Sequence, residues 1–113
     1  GESWQISDFA NSEVRFSQAQ NLSNGEITIA YSSSADEKAV LTFMRKADSA
    51  YGRMEMNNEI YLNLKANESG ELNITLPAVL SLYDIESIQI SPLSSSKITN
   101  ISYKAFDSAL KQD

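Results

Sequence analysis

Apolar residues recur at every second position along most of this chain. In Glu59–Ala66, Ile60, Leu62, Leu64 and Ala66 share one face, while Tyr61, Asn63 and Lys65 share the other. Leu72, Ile74 and Leu76 alternate with Asn73 and Thr75 in the same way. So do Val14 and Phe16, then Ile27, Ile29 and Tyr31, then Ile88 and Ile90, and finally Ile101, Tyr103 and Ala105. A period of two belongs to a half-buried antiparallel strand, with one face on a core and one in water. Ala39–Met44 leaves little polar face and reads as a central strand covered on both sides.

Turn residues fall between the runs, at Asn24-Gly25, Ser32–Asp36, Asn57-Asn58, Asn67–Gly70 and Pro92–Ser96. With the segment around Trp4–Phe9 this gives about eight or nine short strands at a spacing of roughly 8–12 residues. Trp4 reads as an anchor for the first strand. Pro77–Tyr83 reads as a helical turn, with Pro77 at its first position. The expectation is one all-β domain over residues 1–113, an antiparallel, jelly-roll-like β-sandwich, with an immunoglobulin-like sandwich as the alternative. Its expected core is Phe16, Ile27, Ile29, Leu41, Phe43, Met54, Ile60, Leu62, Leu64, Leu72, Ile74, Ile88, Ile90, Ile101 and Tyr103. Placing Met54 and Ile60 on the same face calls for a hairpin that sets Glu55 opposite Glu59 across a three-residue loop.

Composition narrows the chemistry. The 113 residues include neither His nor Cys, which excludes a Cys/His zinc site, a disulfide framework, a thiol nucleophile and an imidazole base. A net charge of −6 argues against nucleic acid as a partner. No apolar run is long enough to span a membrane. The surface is rich in Ser, Asn and Thr, with 21% charged residues, and resembles that of periplasmic or other exported modules. The chain reads as a domain excised from a larger exported or membrane-anchored protein. Four tripeptides match the N-glycan acceptor pattern: Asn21-Leu22-Ser23, Asn67-Glu68-Ser69, Asn73-Ile74-Thr75 and Asn100-Ile101-Ser102. With 9 Asn and 22 Ser plus Thr in the chain, chance supplies about two such matches. Asn and Ser crowding into turns is the plainer explanation.

Catalysis without His, Cys or metal usually needs a pair of carboxylates. Glu55 and Glu59 are brought together only at an exposed hairpin tip, where nothing raises a pKa or excludes water. No glycine-rich phosphate loop is present, and no motif marks an activated serine. Asp36 and Glu37 with Asp8 or Asp48 offer oxygens to calcium, without the spacing of a calcium loop. The expectation is therefore no enzyme, no cofactor and no metal. Aromatic residues give a better lead. The outer face of the expected hairpin carries Tyr51, Arg53, Tyr61 and Asn63. Rings stack on a pyranose face while guanidinium and amide groups fix its hydroxyls. Cross-strand Tyr–Arg pairs also stabilise a sheet unaided, so a purely structural role competes.

Leu76-Pro77-Ala78, then Ile85-Glu86-Ser87-Ile88-Gln89-Ile90-Ser91-Pro92, then Ile98-Thr99-Asn100-Ile101-Ser102-Tyr103 resembles the closing strands of galactose-binding-like jelly rolls. The resemblance covers the C-terminal third and implies a β-sandwich of the carbohydrate-binding-module kind, an accessory module without catalysis. It carries over no ligand residue. The expected function is a non-catalytic module, periplasmic or extracellular, that binds glycan. The alternative is a structural or protein-interaction domain of a cell-envelope protein with no small-molecule ligand.

Overall fold

The structure, a computed structural model, describes residues 3–6, 13–45, 59–79 and 82–106, of which 3–6 are described by backbone alone. Eight strands run through them: β1 (Ser3–Ile6), β2 (Glu13–Gln20), β3 (Gly25–Ser33), β4 (Glu37–Arg45), β5 (Glu59–Leu64), β6 (Asn67–Leu76), β7 (Ile85–Ile90) and β8 (Ser96–Ala105). They form two four-stranded antiparallel sheets, in the orders β1-β8-β3-β6 and β2-β7-β4-β5. The pairs β4–β5, β3–β6, β2–β7 and β1–β8 nest inside one another, as in a single long hairpin rolled over itself. That is the order of a jelly roll. An immunoglobulin-like sandwich places β1 beside β2, so this alternative is excluded.

From one sheet to the other the two strands advance equally overall, across a register shift where Ser33 faces Asn67. Tyr31 faces Gly70 in the first sheet and Glu37 faces Leu64 in the second, an equal advance on both strands. Between the sheets lie Ile27, Ile29 and Tyr31 of β3, Ala39, Leu41 and Phe43 of β4, and Leu62 and Leu64 of β5. β7 adds Ile85, Ile88 and Ile90, and β8 adds Ile98, Ile101 and Tyr103. Ile85/Ile88 and Ile98/Ile101 are three apart, yet all four are buried. Register shifts explain this. Met44 faces Ser87 while Arg45 faces Ile85, and Ala30 faces Asn100 while Tyr31 faces Ile98. Glu86 and Thr99 are the extra residues, and each bulge returns the next isoleucine to the core side.

Several expectations need correction. Phe16, Ile60, Leu72 and Ile74 are only half-buried. Among the described strands, β2, β5 and β6, on which they lie, are outermost, so described neighbours cover an inward side chain from one side. Ala66 is exposed at a bend, because β5 ends at Leu64. β4 does lie between two strands, but its outer face is open: Val40 and Thr42 are half-buried and Met44 is 37% exposed. β5 pairs with β4, setting Ile60 opposite Leu41 and Glu59 opposite Thr42. The partners expected in the hairpin, Met54 and Glu55, lie outside the described residues. Of the helical turn expected over 77–83, residues 80 and 81 lie outside the described residues; Leu82 N–H donates to the Val79 carbonyl at 3.2 Å. The Leu82 carbonyl then accepts Leu22 N–H at 2.9 Å, docking the β2–β3 connection onto it.

Candidate functional site

Among the described residues, the outer face of the β2-β7-β4-β5 sheet carries polar and aromatic side chains together. Alternation along β4 and β5 drives Ala39, Leu41, Leu62 and Leu64 inward, which leaves Lys38, Val40, Tyr61 and Asn63 outward. The ladder then sets Tyr61 opposite Val40 and Asn63 opposite Lys38. Tyr61 is 71% exposed, and its hydroxyl donates to Glu59 Oε1 at 3.3 Å. Ser91 extends β7 beside them: its N–H donates to the Val40 carbonyl and its Oγ accepts Val40 N–H, both at 2.9 Å. Together these side chains line a shallow depression of about 360 Å³.

The face continues across the sheet. Thr42 stands between Glu59 and Gln89, and Gln89 faces Glu13. Gln89 Nε2 donates to Glu13 Oε2 at 3.1 Å, and Arg15 bridges Glu13 at 3.3 Å and Glu86 at 3.6 Å. Surface pairs of this kind fix side-chain direction more than they stabilise. Among the described residues the face therefore offers one exposed ring, Tyr61, with amide, hydroxyl, ammonium and carboxylate groups on strand backbone.

A second polar cluster lies where β3 turns into β4. Glu37 Oε2 accepts Ser94 N–H at 2.6 Å and the Ser94 hydroxyl at 3.0 Å. Glu37 Oε1 accepts Ser95 N–H at 2.9 Å and the Ser96 hydroxyl at 2.7 Å. Donors stabilise the charged form, so the carboxyl falls from its ordinary 4.5 to about 2. The Ser94 N–H contributes most, then the Ser96 hydroxyl and the Ser95 N–H; desolvation opposes them, and the Ser94 hydroxyl adds least. This carboxylate ties the β7–β8 loop to the start of β4. Asp36 is also engaged, accepting Ala66 N–H at 2.8 Å and meeting Lys65 Nζ at 3.7 Å. The oxygens considered for calcium thus serve the protein's own loops. Asp8 and Asp48 lie outside the described residues.

Of the four residues expected to form a sugar platform, the structure places Tyr61 and Asn63 on one face, two positions apart on β5. Tyr51 and Arg53 lie outside the described residues. Lys38, Thr42, Gln89 and Ser91 join the face from strands whose pairing alternation alone does not reveal. Lys38 and Thr42 do carry a signal, because each is polar and out of phase with Leu41 and Phe43.

Fold and face together define a class: a jelly-roll domain with an open polar and aromatic sheet face. Comparison with protein-family models, curated proteins and solved structures returns no match.

Proposed function

We propose that this domain is a non-catalytic glycan-binding module of an extracytoplasmic protein, and that the outer face of β2-β7-β4-β5 is its binding surface. The observation that carries the reading is Tyr61, a large ring left 71% exposed on a rigid strand. A pyranose offers such a ring an apolar C–H face, and its hydroxyls suit the Asn63 amide, the Lys38 ammonium and the Ser91 hydroxyl beside it. A binding role without catalysis fits the chain's lack of His and Cys. Glu37, held low by four donors, suits a structural tie rather than proton transfer. The Ser-, Asn- and Thr-rich surface supports a periplasmic or extracellular setting.

A glycan array probed with the domain and with Tyr61→Ala tests this. Binding by the parent that is lost in the variant, with the thermal transition unchanged, supports it. Met44, 37% exposed on the same face, favours a protein partner as the second reading. Absence of binding to any glycan by the parent domain selects that reading. Hydrolysis of a glycoside or ester, lost on changing one acidic residue, contradicts both.

A further inference from the structure

The depression beside Tyr61 is bounded at one end by the Lys38–Asn63 rung, and a second hollow opens beyond it. This second hollow, of about 210 Å³, shares Lys38 and Asn63 with the first and reaches Asp36 and Lys65. Those two residues lie just past the ends of β4 and β5. Alternation sets the line. Tyr61, Asn63 and Lys65 have one parity, and Val40, Lys38 and Asp36 run beside them in the opposite direction.

The two hollows differ in chemistry. The first has the Tyr61 ring, and Lys38 is the charged side chain among its lining residues. Lys38 enters no ion pair among the described residues. The second has no ring. Lys65 Nζ stands 3.7 Å from Asp36 Oδ2, with both side chains exposed. Asp36 Oδ1 accepts Ala66 N–H at 2.8 Å, which holds that carboxylate at the rim. Glu37 also borders the hollow, but its oxygens are taken by donors of Ser94, Ser95 and Ser96. An exposed pair such as Lys65–Asp36 is weak, so ligand hydroxyls can replace it at little cost.

Size decides what fits. Sites that enclose a small ligand usually span about 300–1,000 Å³. The first hollow, about 360 Å³, is near the lower limit, and the second falls below it. One sugar unit in either leaves the groups of the other in water. Two linked units straddling the rung occupy both. Once the first unit is stacked on Tyr61, the second meets its hollow as an intramolecular partner. The Lys38 ammonium, with its three donors, and the Asn63 amide, donor and acceptor at once, then lie beside the linkage.

We propose that this surface recognises a glycan chain of at least two units laid along β5, rather than a single terminal sugar. Tyr61 stacks the first unit, and Lys65 and Asp36 bind hydroxyls of the second. The inference rests on the glycan reading above and goes beyond it in naming a chain and its second subsite.

The test is an array of oligomers of one to four units, built from glucose, N-acetylglucosamine, galactose, mannose and glucuronic acid. Calorimetric titration follows with the monomer, dimer and trimer of the series that binds best. The expected result is a dimer bound about tenfold or more tighter than its monomer. Lys65→Ala should narrow that ratio, and Lys65→Arg should restore it, with urea midpoints close to the parent's. A merely structural role for Lys65 would not move the ratio. A monomer bound as tightly as its dimer, or a ratio untouched in Lys65→Ala, overturns the second subsite. Binding that Tyr61→Ala still abolishes in those cases leaves the glycan reading standing. A parent domain that binds no oligomer contradicts that reading and this inference with it.

Discussion

The ring of Tyr31 occupies the space that a side chain at Gly70 would need. The two residues face one another across the β3–β6 ladder, and a Cβ built on Gly70 would lie 2.5 Å from the ring's Cζ. The ring cannot easily step aside. It is 4% exposed, and its hydroxyl donates to the Lys65 carbonyl at 3.0 Å. Glycine weakens a strand by itself, so its presence here follows from the ring. Tyr103 stands over Gly25 in the same way, its Oη 2.5 Å from where a Cβ would be.

Gly70→Ala should therefore destabilise the domain by about 1–3 kcal/mol, the usual cost of overpacking. Urea unfolding measures this directly. An unchanged midpoint would mean that the ring moves freely, contrary to its packing.

This packing also shows how far the chain is legible from its residues. Alternation alone locates β3, β4, β5 and β8, because Ile27/Ile29, Leu41/Phe43, Leu62/Leu64 and Ile101/Tyr103 keep strict parity and are all buried. It misses Ile85 and Ile98, because bulges at Glu86 and Thr99 reverse the parity, and a bulge depends on the partner strand. It overrates Ile60, Leu72 and Ile74, since only the sheet order shows that β5 and β6 lie outermost among the described strands. The candidate site follows the same rule. The outward direction of Tyr61 and Asn63 is local, but their meeting with Lys38, Val40 and Ser91 is set by long-range pairing.

Glu37 gives the fold an acid-sensitive tie. Its carboxyl titrates at about 2 in the folded state, below its ordinary 4.5, so on acidification the unfolded chain takes up the proton first. The stability contributed by this group is complete above pH 4.5 and is lost as pH falls towards 2. Glu37→Gln should flatten the pH dependence of stability across that window and speed hydrogen exchange at the Ser94 and Ser95 amides. A variant whose stability keeps the parent's full slope between those pH values contradicts this role.

Asn24 holds a left-handed backbone, φ 55°, at the β2–β3 turn. Its N–H donates to the Pro77 carbonyl at 3.0 Å, and its carbonyl accepts Phe106 N–H at 2.9 Å, so the turn fastens the ends of β6 and β8. A Cβ-bearing residue without a short polar side chain is strained in this conformation by roughly 1–2 kcal/mol. Asn24→Ala should lose about that much stability, while Asn24→Gly should hold it. Equal thermal transitions for the two variants would show that the turn does not demand the left-handed conformation.

Tyr61 decides the functional account, through a difference between two magnitudes. On the exposed face of an outer strand, Tyr61→Ala removes part of a cross-strand contact with Val40, on the order of 0.2–1 kcal/mol of stability. As the stacking anchor of a binding surface, the same ring supplies about 2 kcal/mol or more of binding, as interface hot spots do. The decisive measurement is calorimetric titration of the parent and Tyr61→Ala with the best array glycan, alongside urea unfolding of both. A folded variant of near-parent stability whose affinity falls by about thirtyfold or more is the predicted result. Undiminished affinity in that variant would contradict the account.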